Sequence, residues 1–209
     1  MLPPEPNPFQ LVPARIHEVE GAGRHAFAIF QAARHAGPVF WVRPLRDRGT
    51  FLPAGLPQGL AARLYQVCAR SEVDLLWAVE ETLRAPLTGF VLAEPTKPLS
   101  LTAGRRLQLA AEAGRTTGLM MIGAGAGSNA TESRWHCRPL TESGAGWNTA
   151  AHHWALTKNK RGLTGAWHVA WDPQDGDPQI LDTRDDARDG QAGFGQPGAD
   201  QASGAGSSR

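Results

Sequence analysis

The chain has 209 residues, 41% of them hydrophobic and 20% charged, with a formal net charge of +1. These values are typical of one ordinary globular domain, and no segment approaches the roughly 20 uninterrupted apolar residues of a membrane span. The opening MLPPEPNPFQLVPAR lacks the basic start and apolar run of a secretory signal. Cys68 and Cys137 are too few for a disulfide framework or a four-ligand zinc site, and both lie in strand-like runs. We expect a cytoplasmic protein with two buried free thiols and no contact with membranes.

The charge is distributed unevenly along the chain. Residues 172–209 contain eight aspartates and three arginines, a net charge of −5, whereas residues 1–171 carry +6. Beyond about Asp185 the chain is rich in Gly, Asp, Gln, Ala and Ser, and it buries too little surface to offset the entropy of ordering it. The sequence predicts an extended N-terminal segment over 1–15, a folded domain over 16–184 and a disordered acidic tail over 185–209.

Strand-like and helix-like segments alternate along the first two thirds of the domain. Continuous apolar runs predict buried strands, and amphipathic runs predict helices. In chain order the predicted elements are a strand at 16–19, a helix at 24–35, strands at 39–42 and 64–69, a helix at 72–84, a strand at 89–93, a helix at 102–113 and a strand at 118–122. This repetition predicts an α/β fold with a mostly parallel sheet and helices on both of its faces.

From Gly123 onward the pattern changes. Residues 123–130 form a Gly-rich polar loop, and 134–138 alternates in the way an edge strand would. Two further alternating runs, 152–157 and 166–171, flank the segment Lys-Asn-Lys-Arg-Gly. These runs predict a hairpin with a basic tip that adds antiparallel strands to the sheet edge.

Aromatic and aliphatic side chains are assigned to the core or the surface from these patterns. Trp41, Trp77 and Trp135 lie in apolar patterns and are predicted to be core residues. In the helix over 72–84, Leu75, Leu76, Val79 and Leu83 are predicted to form the apolar stripe that faces the core, and Glu81 is predicted to face the solvent. The tryptophans near the hairpin are predicted to be more exposed.

The turn after the first strand is the place to look for a phosphate site, because ligands bind at the carboxyl ends of strands in open parallel sheets. It reads Val19-Glu-Gly-Ala-Gly-Arg-His25. A nucleotide-hydrolysing phosphate loop needs Gly, four spacer residues and then Gly-Lys-Ser/Thr, so that its lysine reaches the terminal phosphates. This turn is too short, and Arg24 and His25 stand in place of the lysine and the hydroxyl. Two interpretations stay open: a remodelled phosphate site that uses Arg24, or a plain tight turn.

Several segments together carry a family resemblance. The strand-turn-helix start, LWAVEETLR, RRLQLAAEAGRTTGLMMIG and SRWHCRPL, in this order, resemble the ImuA family of bacterial inducible-mutagenesis proteins, which are similar to the RecA ATPase core. The resemblance covers roughly residues 14–172, and RRLQLAAEAGRTTGL is its most specific part. It implies a RecA-like three-layer αβα fold and an accessory role in SOS-induced, error-prone translesion DNA synthesis. The implied partners are ImuB (an inactive relative of Y-family polymerases), an error-prone DnaE-type polymerase and RecA.

The resemblance also places the RecA active-site positions on this chain. The phosphate-binding lysine and its neighbouring hydroxyl correspond to Arg24 and His25, the catalytic glutamate falls within 44–46 where no carboxylate stands, and the magnesium-linked aspartate corresponds to Glu94. The resemblance therefore implies a degenerate nucleotide site without ATPase activity or cofactor, formed by Gly21, Gly23, Arg24, His25 and Glu94. RecA's mobile DNA-contacting loop corresponds to 123–133.

The candidate contacts with single-stranded DNA or a protein partner are Arg134, Lys158, Lys160, Arg161 and Trp167. A charged hairpin tip is also common for solubility alone, and a hairpin tryptophan can belong to the core.

His152 and His153 are adjacent in a strand and point to opposite faces, so no metal site is expected there.

Three functions stay open at this point. The first is a non-enzymatic RecA-like accessory of translesion synthesis. The second is a DNA-dependent RecA-type ATPase of recombinational repair, and the third is a SulA-like inhibitor of cell division.

Overall fold

The computed structural model describes residues 7–47, 49, 51–140, 150–172 and 178–184. The predicted disordered tail over 185–209 lies outside these residues. In chain order the strands are β1 (Ile16–Glu20), β2 (Val39–Pro44), β3 (Leu64–Ala69), β4 (Phe90–Ala93), β5 (Thr117–Met121), β6 (Ser133–Pro139), β7 (Ala150–Asn159), β8 (Gly165–Trp171) and β9 (Gln179–Arg184). The helices are α1 (Arg24–Arg34), α2 (Glu72–Arg84) and α3 (Leu101–Gly114), and two short 3₁₀ turns precede β3.

The strands form one nine-stranded sheet in the order β3-β2-β4-β5-β1-β6-β7-β8-β9. All pairs from β3 to β6 are parallel, and β7, β8 and β9 extend the sheet as antiparallel strands. The fold is therefore α/β, with a largely parallel central sheet and an antiparallel edge portion, as the sequence predicts. Helices lie on both faces, an arrangement compatible with a RecA-like three-layer fold.

One face of the sheet carries an aromatic core under α1. Phe27 and Phe30 of α1 lie 4.9 Å, between ring centroids, from Trp135 of β6 and Trp154 of β7 respectively. Phe9, from the segment before β1, lies 5.1 Å from Trp154 and is 1% exposed. The N-terminal segment thus contributes to the main core.

The opposite face is covered by α2 and α3 and is mainly aliphatic. Leu75, Val79 and Leu83 of α2 and Leu107 of α3 are buried there against the central strands. Both helices begin at a serine cap, because the Ser71 and Ser100 hydroxyl oxygens accept hydrogen bonds from backbone N–H groups three residues on. The Ser100 cap makes α3 begin one residue earlier than predicted.

The structure corrects the prediction for β6 and adds a strand. β6 is an interior strand between β1 and β7, so the prediction of an edge strand over 134–138 is wrong. Its polar–apolar alternation arises because its Trp135 and Cys137 side chains enter the aromatic core while Arg134, His136 and Arg138 face the other way. β9 was not predicted, since its six residues adjoin the aspartate-rich region of the chain.

Several burial predictions are also corrected. Cys137 is buried, but Cys68 is exposed because β3 is the outermost strand. Trp77 is 63% exposed on the outer side of α2, so its assignment to the core is wrong. Leu76 is only half-buried, whereas its neighbour Leu75 is 1% exposed. The other predicted stripe residues of α2, Leu75, Val79 and Leu83, are buried as the periodic pattern predicts, so only Leu76 departs from it.

Candidate functional site

The turn between β1 and α1 packs directly on β6. The Gly23 N–H donates to the Cys137 carbonyl oxygen at 2.8 Å, and a Cβ atom on Gly21 would overlap that same oxygen. Gly21 has φ +90°, in the region that glycine adopts most readily. An amide that a phosphate loop would offer to its ligand is therefore already bonded to the protein.

Arg24 and His25 make short-range contacts within the same site. The Arg24 Nη1 group donates to the Gly21 carbonyl oxygen at 3.3 Å. His25 Nε2 lies 3.7 Å from Glu94 Oε2, and the Trp41 indole N–H donates to Glu94 Oε1 at 2.6 Å. Burial acts to raise the pKa of Glu94, but the neighbouring His25 and the Trp41 hydrogen bond hold it below its ordinary value. Glu94 is thus kept ionised and oriented by its two neighbours.

A cavity of about 280 Å³ brings Arg24, His25 and Glu94 together with residues of β2 and the loop after it. The Arg43 side chain is 1% exposed, and its guanidinium carbon lies 4.3 Å from the Trp41 ring centroid. Arg43 Nη2 lies 2.7 Å from Asp47 Oδ1. The backbone N–H of Gly49, with Arg43, lowers the pKa of Asp47.

The charges in this cavity are arranged in pairs. His25 lies beside Glu94, and the guanidinium of Arg43 forms an ion pair with Asp47, the first carboxylate after β2. No lysine is found among the described residues that line the cavity. Arg24 and His25 stand where a phosphate loop carries its lysine and hydroxyl, and the described lining of the cavity is rich in charged side chains.

The loop from Gly123 to Glu132 is held by a buried carboxylate of β1. Glu18 is 0% exposed, and its oxygens accept hydrogen bonds from Ser128 N at 2.8 Å, Thr131 Oγ1 at 3.0 Å and Arg134 Nε at 2.9 Å. The neighbouring Glu20 accepts from the Gly125 N–H at 2.9 Å. Both carboxylates of β1 therefore fix the loop that the resemblance aligns with RecA's DNA-contacting loop.

The basic hairpin tip binds the same loop from the other side. Lys158 Nζ donates to the Ser128 and Thr131 carbonyl oxygens at 2.9 and 2.8 Å, and Lys160 Nζ donates to the Ala130 carbonyl oxygen at 2.6 Å. Burial lowers the pKa of Lys158.

Arg161, the third cation of the tip, pairs with Glu132 through a 2.8 Å contact between Nε and Oε1. Arg134, Lys158, Lys160 and Arg161 are thus brought together around the loop, with their polar groups engaged by protein oxygens. Contact of these residues with DNA stays a prediction.

Trp167, the remaining predicted contact residue, is half-buried against the aromatic core. Its ring centroid lies 5.5 Å from Phe9 and 5.9 Å from Trp135. Trp154 and Trp171 of the same hairpin are 0% and 3% exposed, so the prediction that the hairpin tryptophans are exposed is wrong for these two. The hairpin face that carries them packs under α1 and the N-terminal segment.

Glu18 and Arg43 are central to these clusters, and the sequence reasoning overlooked both. A usable signal was present for Glu18: β1 reads Ile-His-Glu-Val-Glu, although a central parallel strand normally reads as a continuous apolar run. Charged residues in such a strand must find partners when they are buried. The partners of Glu18 lie more than 100 residues away, and nothing in the local pattern identifies them.

Among the described residues, no group of three or more His, Cys, Asp or Glu side chains could hold a metal ion. Across the same residues, no helix combines the length and apolar character needed to cross a membrane.

Comparison with known proteins finds two similar curated proteins. No family model matches the chain. The curated ImuA proteins of two strains of Caulobacter vibrioides are each 37% identical to it over 147 residues. The match covers 59% of this chain and 59% of each relative, so the chain aligns with less than two thirds of their length.

Proposed function

We propose, from the similarity of this chain to the curated ImuA proteins, that it belongs to the ImuA family and is a non-enzymatic accessory factor for SOS-induced, error-prone translesion DNA synthesis. In this role it works through contacts with other proteins, namely ImuB and an error-prone DnaE-type polymerase, and it modulates RecA. The proposed role does not involve ATP hydrolysis, and the protein is proposed to act without a cofactor.

The observation that supports the non-enzymatic role is the closure of the turn after β1. The Gly23 N–H is bonded to Cys137 of β6, and Arg24 and His25 replace the lysine and hydroxyl. In the adjoining cavity Asp47 pairs with Arg43, and Glu94 contacts His25 and Trp41. Phosphoryl transfer depends on positioning and on electrostatic stabilisation of the terminal phosphate. The described site offers neither a phosphate-binding lysine nor an unpaired base.

The experiment combines a mutation assay with a binding assay. In a strain that lacks its own copy of this gene, the full chain should restore damage-induced mutation frequency. The variant Arg24→Ala/His25→Ala, which removes the side chains at the two altered phosphate-loop positions, should restore it equally well. A folded variant that fails to restore mutagenesis would show that the site is used and would contradict the non-enzymatic role.

The partner assay uses the same purified chain. It should retain ImuB from the same genome in a pull-down and should not retain the division protein FtsZ. Retention of FtsZ without ImuB would instead favour the SulA-like alternative.

A further inference from the structure

A second cavity, of about 240 Å³, lies at the carboxyl ends of β2, β3 and β4 and is separate from the degenerate nucleotide site. The register aligns these ends: Pro44 pairs with Ala69, and Val42 pairs with Ala93. The chain segments that follow the three strands therefore meet around one opening. The N-terminus of the 13-residue helix α2 also lines the opening.

Three cationic side chains line this cavity, one from each segment. Arg46 follows β2, Arg70 follows β3 and Lys97 follows β4, and all three are exposed. Within the described part of the chain, none of them makes a hydrogen bond or an ion pair. The hairpin cations Lys158 and Lys160, by contrast, donate hydrogen bonds to carbonyl oxygens of the loop from Gly123 to Glu132.

One carboxylate, that of Glu72, also lines the cavity. Its Oε2 atom accepts hydrogen bonds from the Thr96 N–H at 2.9 Å and from the Thr96 hydroxyl at 2.5 Å, so it is directed to the loop after β4. Its Oε1 atom is buried without a partner in the described structure. The cavity lining therefore carries three positive charges against one negative charge that is already bonded to the protein.

This arrangement suits a phosphate group. Arginine binds phosphate through two parallel N–H donors, lysine supplies a compact positive charge, and a helix N-terminus adds a favourable dipole. Three cations without a bonded partner in the described structure line one opening, and their summed positive potential attracts an anion to it. We propose that this cavity binds a phosphate group through Arg46, Arg70 and Lys97. This inference does not depend on the proposed function, since the two concern different residues and different measurements.

The phosphate can come from a nucleic acid backbone or from a small molecule, and separate probes distinguish the two. Binding of the full chain to fluorescein-labelled oligothymidylate is measured by anisotropy over a series of salt concentrations. Binding of inorganic phosphate and of ATP is measured by calorimetry. Each probe is tested on the wild type, on Arg46→Ala/Arg70→Ala/Lys97→Ala and on a control with the same loss of charge. The control is Arg105→Ala/Arg115→Ala/Arg138→Ala, which removes three exposed arginines outside the cavity.

If single-stranded DNA is the source, the cavity variant should bind the oligonucleotide at least about tenfold more weakly and lower the salt slope by about 2, since each lost contact to a single strand removes about 0.7. The control should change the affinity by less than about threefold. Arg46→Lys/Arg70→Lys/Lys97→Arg keeps the three charges and should retain most of the binding. If inorganic phosphate or ATP binds instead, with the same dependence on the three residues, that result would confirm the site and would identify a small molecule as the source of the phosphate group.

Two results would overturn the proposal. One is that no probe binds the wild type at millimolar concentration. The other is that the cavity variant and the control lose binding equally, which would assign the binding to overall charge. Equal melting temperatures for the variants and the wild type establish that the comparison is between folded proteins.

Discussion

At the scale of single residues, two glycines bring the turn after β1 against β6. A Cβ atom on Gly23 would lie 3.0 Å from Arg138 N, and one on Gly21 would overlap the Cys137 carbonyl oxygen. These glycines therefore serve a close approach between two backbone segments. In a working phosphate loop, glycines serve the approach of the backbone to a ligand.

Gly21→Ala should reduce the free energy of unfolding by about 2 kcal/mol or more, because it adds a backbone clash to an unfavourable positive φ. Gly55→Ala is the control, since a Cβ atom there meets nothing within 4 Å. Its effect should stay within about 0.5 kcal/mol. Denaturant unfolding curves measure both changes, and equal stability of the two variants would contradict the packing described for the turn.

A buried histidine gives stability a defined dependence on pH. His17 is 1% exposed and contacts Ser133 Oγ at 2.6 Å and the Val12 carbonyl oxygen at 3.0 Å. Burial lowers its pKa from 6.5 to about 4. Between these two values the unfolded chain binds a proton that the native state does not, so acidification destabilises the fold, by up to about 3 kcal/mol from this group.

His17→Gln should remove this contribution. The free energy of unfolding, measured at pH 7 and pH 5, should fall less on acidification in the variant than in the wild type. Part of the wild-type loss should persist, because burial also lowers the pKa values of His35 and His152. An unchanged difference between the two pH values would show that His17 does not titrate in this way.

At the scale of elements, α2 shows how closely periodicity can locate a core face. Leu75, Val79 and Leu83 of the predicted stripe are buried, with Leu75 1% exposed, whereas Leu76 lies at the edge of the stripe and is half-buried. Leu75→Ala should therefore destabilise the protein by about 2–5 kcal/mol, and Leu76→Ala by clearly less. Glu81→Ala, on the exposed side, should be nearly silent. A larger loss of unfolding free energy for Leu76→Ala than for Leu75→Ala would contradict this placement of the core face.

The hairpin tip and the loop from Gly123 to Glu132 form a second element-scale unit. Lys158→Met removes the donor to the Ser128 and Thr131 carbonyl oxygens. It should lower stability by about 1–3 kcal/mol and speed amide hydrogen exchange in the loop. Arg105→Met, at an exposed position of α3 without a bonded partner in the described structure, should leave exchange in the loop unchanged. Equal exchange in both variants would contradict the holding role of Lys158.

These elements also show what the sequence can and cannot predict. Apolar runs such as 39–42 and 89–93 reveal strands because burial on both faces leaves a local signature. The pairing of Lys158 with a loop about 30 residues earlier leaves none, because spacing does not tell which cation meets which carbonyl group. The exposure of Trp77 was missed for a related reason: a tryptophan within a helical apolar pattern reads as core unless the neighbouring elements are known.

At the scale of the whole molecule, the sheet order separates three regions of charge. The predicted nucleotide-site residues lie where β1, β2 and β4 end, and the loop held by Glu18 lies over β1 and β6. The turn after β1 is closed by β6, and the cations beside the loop are bonded to carbonyl and carboxylate oxygens. Arg46, Arg70 and Lys97 line a cavity at a third place, where β2, β3 and β4 end.

The most direct test of the proposed role is the rate of ATP hydrolysis by the purified full chain, with and without single-stranded DNA. Replacement of the lysine and hydroxyl by Arg24 and His25, together with the bonded Gly23 N–H, predicts no turnover above a buffer blank under either condition. DNA-stimulated turnover that is abolished by Arg24→Ala would contradict the proposal and would identify the chain as a RecA-type ATPase.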